Sequence, residues 1–136
     1  GHCFCEFGAG FGVCAMLAAL HGMDSVGIEV EADLVEQASE LAERLDNKAA
    51  FYCGSFVQRG SESFLVEVSE GGTLNMDEQG VHEVVGRDIN DFDLIFAYPW
   101  PVEYAFFESM FDEFAADGTL MLTYRGLEGM SLVRKV

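Results

Sequence analysis

The sequence predicts an α/β domain built on a mainly parallel sheet. Short apolar runs alternate with helical patterns along the chain, as in a sheet whose strands are joined by helices. The first run, "HCFCEF", shows no polar alternation, which is typical of a strand buried on both faces. Half of the 136 residues are hydrophobic, and this length and composition suit one domain over residues 1–136.

The first half of the chain contains three strand patterns and two helix patterns. Strands are predicted at "HCFCEF", "SVGIEV" and "AAFYCG". Gly22 is expected to end the first helix, and Asp33 with Glu36 resembles a capping box at the start of the second. The first helix has apolar residues at helical spacing: Val13, Met16, Leu17 and Leu20. The second has a longer apolar face: Leu34, Val35, Ala38, Leu41, Ala42 and Leu45.

The second half begins with an irregular segment and returns to the alternation of strand and helix. Residues 57–90 carry weak signals and are predicted to form an insertion. "FDLIFAY" is a buried strand stopped by Pro99 and Pro101, and "TLMLTY" is a strand that follows the turn at Asp117-Gly118. "SLVRKV" follows too closely for a parallel crossover, so as a strand it must pair antiparallel at the sheet edge. The helix between these strands has an apolar face: Phe107, Met110, Phe111 and Phe114.

The formal net charge of −17 disfavours nucleic acid as a partner of these residues alone, because an acidic surface repels phosphates. The charge itself could be an acidic coat that only keeps the protein in solution, or it could steer a substrate toward the site. The run from Cys3 to Met23 is apolar enough to resemble a membrane span, but Glu6 and the glycines interrupt it. A strand followed by a helix explains the run better, so no membrane partner is expected.

The four cysteines are expected to be reduced core thiols, which indicates a cytoplasmic protein. Their spacing matches neither a redox pair nor a zinc site. His2, His21 and His82 show no spacing for a metal, so none is expected. Because the chain opens on Gly1 and enters a strand at once, we expect its natural N-terminus to lie upstream.

Three glycines and two acids point to a nucleoside-containing ligand. Gly8, Gly10 and Gly12 follow the first strand, where parallel sheets bind ligands and where a residue without Cβ lets the backbone approach them. Glu29 lies about twenty residues further on, the separation at which an acid reaches ribose hydroxyls. Taken singly, Glu6 could cap a strand end, Glu29 could be a surface acid, and the glycines could only form a turn.

The spacing of these glycines and acids distinguishes between two kinds of nucleoside ligand. A dinucleotide fingerprint needs Gly or Ala where this chain has Val13, and Glu6 would repel a pyrophosphate. The chain reads E-x-G-x-G-x-G, and an acid in this place suits the ammonium group of an amino acid. This sequence resembles motif I of the class I S-adenosylmethionine-dependent methyltransferases.

The resemblance covers nearly the whole chain, and the family's segment before motif I is absent. It implies a three-layer Rossmann-like sheet of strand order 3-2-1-4-5, with S-adenosyl-L-methionine as cofactor. Ser55 stands where the family often has an acid near the adenine. By this resemblance the cofactor-binding residues are Glu6, Gly8, Ala9, Gly10, Gly12, Glu29, Val30, Ser55 and Phe56.

The same resemblance places the transfer site at "AYPWP". Amino-group methyltransferases carry Asp or Asn, two prolines and an aromatic residue there, whereas this chain has Tyr98, Pro99, Trp100 and Pro101. Two flat aromatic faces suit a planar or cationic substrate, but they could also simply cover the sheet end. Beside this loop, Glu103 is a candidate general base or a helix-start charge.

The function that the resemblance implies is methyl transfer to an unidentified acceptor, a small molecule or protein rather than nucleic acid. One alternative is an NAD-binding, dehydrogenase-like domain. Another is a non-catalytic relic that binds the cofactor and serves as an interaction domain, because the Ser55 and Tyr98 positions depart from the family's pattern.

Overall fold

The structure, a computed structural model, describes residues 1–55 and 85–136. Phe56 and most of the predicted insertion at 57–90 lie outside the described residues.

Six strands of the described residues form one sheet in the order β3-β2-β1-β4-β5-β6. The neighbours from β3 to β5 pair in parallel, and β6 pairs antiparallel with β5. The predicted strand order and the antiparallel edge strand are therefore confirmed. The strands are β1 (Cys3–Phe7), β2 (Asp24–Glu29), β3 (Ala50–Cys53), β4 (Leu94–Ala97), β5 (Leu120–Tyr124) and β6 (Met130–Arg134).

Helices cover both faces of this sheet, which confirms the predicted three layers. In the described residues the α-helices are α1 (Val13–Leu20), α2 (Ala32–Arg44) and α3 (Tyr104–Phe114). Phe4 of β1 lies in a core cluster with residues of α1 and α2. Cys5, its neighbour in the strand, lies in the other cluster with residues of α3. Successive side chains of a strand point to opposite faces, so β1 is buried on both.

The predicted apolar face of α1 is only partly correct. Met16 is buried, but the exposed fractions of Val13, Leu17 and Leu20 are 58%, 51% and 75%. The residues that face the sheet instead include Ala15 and Ala18. Every residue of "VCAMLAAL" is apolar, so periodicity could not identify the inner face, and small side chains let the helix backbone approach the sheet. Gly22 does follow the end of α1, with a φ of 86°.

Two further predictions are wrong. The helix α2 begins at Ala32 with Glu31 as its N-cap and no side-chain cap, so Asp33 lies inside the first turn rather than before it. There its negative charge still interacts favourably with the positive end of the helix dipole. The cysteines are not all in the core, since Cys5 is buried but Cys53 is exposed.

The helix α3 has the predicted inner face. Phe107, Met110 and Phe111 are buried, and Phe114 packs partly buried against the same cluster. Phe106 is also buried, with 1% of its surface exposed. None of the helices in residues 1–55 and 85–136 has both the length and the apolar character needed to cross a bilayer.

The buried ring of Phe106 should contribute strongly to stability. We expect Phe106→Ala to lower the free energy of unfolding by about 3–5 kcal/mol, through lost burial and the cavity left behind. Leu127, which is fully exposed, provides the control, and Leu127→Ala should change stability by less than about 0.5 kcal/mol. Urea unfolding of both variants checks this, and equal effects would contradict the assigned core.

Candidate functional site

The loop between β1 and α1 is held against the end of β2. The backbone amides of Gly8 and Ala9 both donate to the carbonyl oxygen of Ile28, each at 2.9 Å. The φ angles of Gly8, Gly10 and Gly12 are 70°, 55° and 79°, in the left-handed region that favours glycine. The three glycines are therefore required by the backbone path of this loop.

Glu29 fastens the middle of this loop. It is buried at the end of β2, and its Oε1 accepts a hydrogen bond of 3.0 Å from the amide of Gly10. Its Oε2 accepts one of 2.9 Å from the amide of Glu31. Because each carboxylate oxygen can accept two hydrogen bonds, both keep acceptor capacity for a ligand hydroxyl. Glu29 is therefore not a simple surface acid.

Glu6 lies at the start of the same loop. It has 6% of its surface exposed, and its Oε1 accepts a hydrogen bond of 3.0 Å from the amide of Ala15 in the first turn of α1. The N-cap residue of α1 is Gly12, which has no side chain to supply such a bond. Glu6 thus caps the start of α1 rather than a strand end, and its carboxylate is also near the glycine loop.

Burial raises the pKa of Glu6 to about 7. Hydrogen bonds from the Ala15 amide and the Cys14 thiol oppose the rise, and the charge of Glu29 adds to it. The two carboxylates are therefore close enough to interact, and they flank one loop.

A phenylalanine that the sequence analysis missed lies against this loop. A Cβ on Gly12 would come within 2.3 Å of the Phe51 ring, and a Cβ on Gly27 would come within 2.7 Å of Phe51 and 2.8 Å of Ala9. Phe51 and Ala9 thus occupy the space that side chains would need. The signal was Gly27 itself, because a glycine inside a strand often marks a close approach.

The remaining predicted cofactor residues follow the neighbouring strands. Val30 comes directly after β2, is half-buried, and accepts a hydrogen bond from the Cys53 thiol at 3.5 Å. Ser55 comes shortly after β3 and is buried. Both lie at the carboxyl edge of the sheet, like the glycine loop. Phe56 is outside the described residues.

The loop after β4 forms a second part of this edge. Tyr98 and Trp100 are 65% and 56% exposed, whereas Pro99 is buried. The Tyr98 ring meets the edge of the Tyr124 ring, with centroids 4.8 Å apart. The amide of Trp100 donates to the buried carboxylate of Glu103 at 2.8 Å, so this acid positions the loop.

Two openings meet at Tyr98. A cavity of about 500 Å³ is lined by Tyr98, the rest of its loop and Arg125. A groove of about 670 Å³ runs over an apolar face of the sheet, where Leu94, Phe96 and Leu122 line it. It also reaches Tyr98, Glu6 and Gly8. The structure therefore brings the predicted glycine site and the predicted transfer loop to one edge, with Tyr98 between them.

Solved structures share this fold at low sequence identity. An RNA methyltransferase from Salinibacter ruber, crystallised with S-adenosyl-L-homocysteine, superposes with a TM-score of 0.65 at 20% identity over 98% of this chain and 79% of its own. A methyltransferase from Pyrococcus furiosus gives a TM-score of 0.59 at 16% identity over 93% of this chain and 56% of its own. The chain has the class I methyltransferase fold.

A third methyltransferase-fold structure is an S-adenosylmethionine-dependent enzyme from Thiobacillus denitrificans, also in complex with S-adenosyl-L-homocysteine. Its TM-score is 0.56 at 16% identity, over 90% of this chain and 41% of its own. The chain thus spans about half or less of the length of the Pyrococcus and Thiobacillus proteins. No family model and no curated protein sequence matches it.

The contact between Gly27 and Phe51 predicts a steric effect on stability. Gly27→Ala should lower the free energy of unfolding by about 1–3 kcal/mol, because the new methyl group overpacks the site. Gly27→Ala combined with Phe51→Leu should cost less than the sum of the two single changes. Urea unfolding of the full double-mutant cycle measures this coupling, and strict additivity would contradict the contact.

The raised pKa of Glu6 predicts how stability depends on pH. Between the ordinary value of 4.5 and about 7, the folded protein binds a proton that the unfolded chain has lost. The stability that Glu6 contributes is therefore complete below pH 4.5 and is lost as the pH rises through about 7. We expect wild type to lose about 3 kcal/mol relative to Glu6→Gln over this window.

Urea unfolding of wild type and Glu6→Gln at the two ends of the window checks this. Gln keeps an oxygen for the Ala15 amide but does not titrate, so it isolates the charge. If the stability difference between the two proteins does not change with pH, Glu6 has an ordinary pKa.

Proposed function

We propose that this chain binds S-adenosyl-L-methionine and transfers its methyl group to a small-molecule acceptor. The observation that supports this most is the glycine loop held between two buried carboxylates at the carboxyl edge of the sheet. The ligand joins a positively charged methionine half to an adenosine, so it presents a cation and two ribose hydroxyls. Two acids on one loop supply a counter-charge and hydroxyl acceptors for these groups.

The residues present fit this cofactor. A Cβ on Gly8 or Gly10 would meet no atom within 4 Å, so the space beside the loop backbone is open. Glu6 would hold the amino group of the methionine half, and the acceptor capacity of Glu29 would hold the ribose hydroxyls. Backbone atoms of Gly8, Ala9, Gly10 and Gly12 would lie against the ligand. For the adenine, we propose Val30, Ser55 and Phe56.

When bound, this cofactor would supply a methyl group from a cationic sulfur. The acceptor lone pair would form the new bond to the methyl carbon, the sulfur would keep the electron pair of the broken bond, and a hydroxyl or amino acceptor would release its proton to solvent. The chain's own residues position the acceptor and exclude water. Tyr98 borders both openings, so its ring would stand beside the reacting atoms. Pro99 and the bond from the Trp100 amide to Glu103 limit the motion of this loop.

We propose a small molecule rather than a nucleic acid as the acceptor of these residues. The Salinibacter neighbour acts on RNA, but the net charge of −17 on this chain repels a phosphate backbone. The aromatic cavity beside Tyr98 is also within the size range of small-molecule sites, at about 500 Å³.

Calorimetry with S-adenosylmethionine and S-adenosylhomocysteine tests the cofactor assignment. At a pH above 7.5, where Glu6 is ionised, Glu6→Gln and Glu29→Gln should each weaken binding at least about tenfold, or about 1.4 kcal/mol. The exposed acid Glu36 on α2 provides the matched control, and Glu36→Gln should bind as wild type does.

Two results would contradict the proposal. The first is no binding of either compound by folded wild-type protein. The second is binding of NADH in their place, which would favour a dehydrogenase-like domain. Binding of both compounds without turnover on any acceptor would favour a non-catalytic relic.

A further inference from the structure

We propose that the cavity beside Tyr98 takes a planar aromatic acid as the methyl acceptor. This inference rests on the proposed function, because the cavity is assigned as the acceptor half of that site. The cavity lies at the carboxyl ends of β4 and β5, and β4 is the sheet neighbour of β1, which leads into the glycine loop. Its ligand class follows from its walls and from the one cation, Arg125, among the described residues that line it.

The walls of the cavity are aromatic and rigid. Tyr98 and Trp100 offer exposed rings, and two prolines stiffen the segment that carries them. The edge contact with Tyr124 fixes the Tyr98 ring. Large flat faces exposed in a concave site match a planar ring, which stacks on them without losing conformational freedom.

The charge of the cavity comes from Arg125, at the end of β5. Its guanidinium lies over the Tyr104 ring, 4.4 Å from the centroid, and this contact fixes its plane. Nε donates to the Thr123 hydroxyl at 3.2 Å, and Nη2 donates to Glu108 at 3.2 Å. A guanidinium has five N–H donors, so these two bonds leave donors for a carboxylate.

The ion pair with Glu108 does not block this role. The Glu108 side chain is 57% exposed, and exposed pairs contribute little, so a ligand carboxylate can compete for Arg125. Arg125 is itself only 19% exposed, which strengthens its attraction for an anion. No acidic side chain lines the cavity in the described part of the chain. Arg125 is therefore the local attraction for a carboxylate, and it acts against the net charge of −17 of the whole protein.

A carboxylate on Arg125 would also orient the ring. The other substituents would then lie toward Tyr98, which the cavity shares with the groove that contains Glu6 and Gly8. The acceptor atom is thus expected on the ring side opposite the carboxylate, as a hydroxyl or amino group.

The fluorescence of Trp100 tests this directly, because it is the only tryptophan in the chain. We would titrate wild-type protein, with and without S-adenosylhomocysteine, with 4-hydroxybenzoate, tyramine and cyclohexanecarboxylate. The aromatic acid should change the Trp100 emission at a concentration at least tenfold below that needed for the aromatic amine or the saturated acid. Equal potency of tyramine would overturn the proposal, as would a response to short single-stranded RNA but not to the acid.

Substitutions of arginine distinguish the effect of the Arg125 charge on binding from an effect on folding. Arg125→Gln should weaken binding of the acid at least tenfold, Arg125→Lys should weaken it less, and Arg134→Gln, at an exposed arginine of β6, should leave it unchanged. Circular dichroism confirms that each variant folds. Unchanged binding by a folded Arg125→Gln variant would overturn the proposal.

Calorimetry with S-adenosylhomocysteine on the same samples separates the two proposals. If S-adenosylhomocysteine binds but the protein does not prefer the aromatic acid, only the cavity assignment is contradicted. If the acid binds selectively and S-adenosylhomocysteine does not bind, the ligand class of the cavity is supported and the proposed function fails.

Discussion

Two buried carboxylates flank one glycine-rich loop, and the site depends on this arrangement. Glu29 bonds the loop at Gly10, and Glu6 bonds the helix that the loop leads into. Burying these acids is costly: burial raises the pKa of Glu6 to about 7, and the nearby charge of Glu29 adds to the rise. A cationic ligand would offset this cost. The arrangement therefore destabilises the chain without ligand but favours binding of the ligand.

Much of the fold could be predicted because buried parallel strands appear as continuous apolar runs with turns between them. The glycine loop and Glu29 could be predicted because local backbone needs fix both residue type and spacing. The inner face of α1 could not be predicted, since "VCAMLAAL" has no polar residue to mark the outside. The packing of Phe51 against Gly12 and Gly27 could not either, because it joins segments far apart in the sequence.

The acceptor half of the site was the less predictable half. The sequence indicated Tyr98 and Trp100 from their place after a strand, and it left open whether they cover the sheet end. The structure brings Arg125 and Tyr104 together in this cavity, although they belong to different elements of the chain. Glu103, one candidate for a base, accepts a hydrogen bond from the Trp100 amide and so positions the loop. The proposed acceptor half therefore depends on tertiary contacts, whereas the proposed cofactor half depends largely on local sequence.

The central claim is that the glycine loop between Glu6 and Glu29 binds an adenosine that carries a cationic group. Amide chemical shifts measured by NMR during titration with S-adenosylhomocysteine test it most directly. The account predicts that the largest changes occur at Gly8, Gly10 and Gly12 and at the residues after Glu29, with no comparable response to NADH. Shifts confined to β6 or the outer face of α2, or none at saturating ligand, would contradict it.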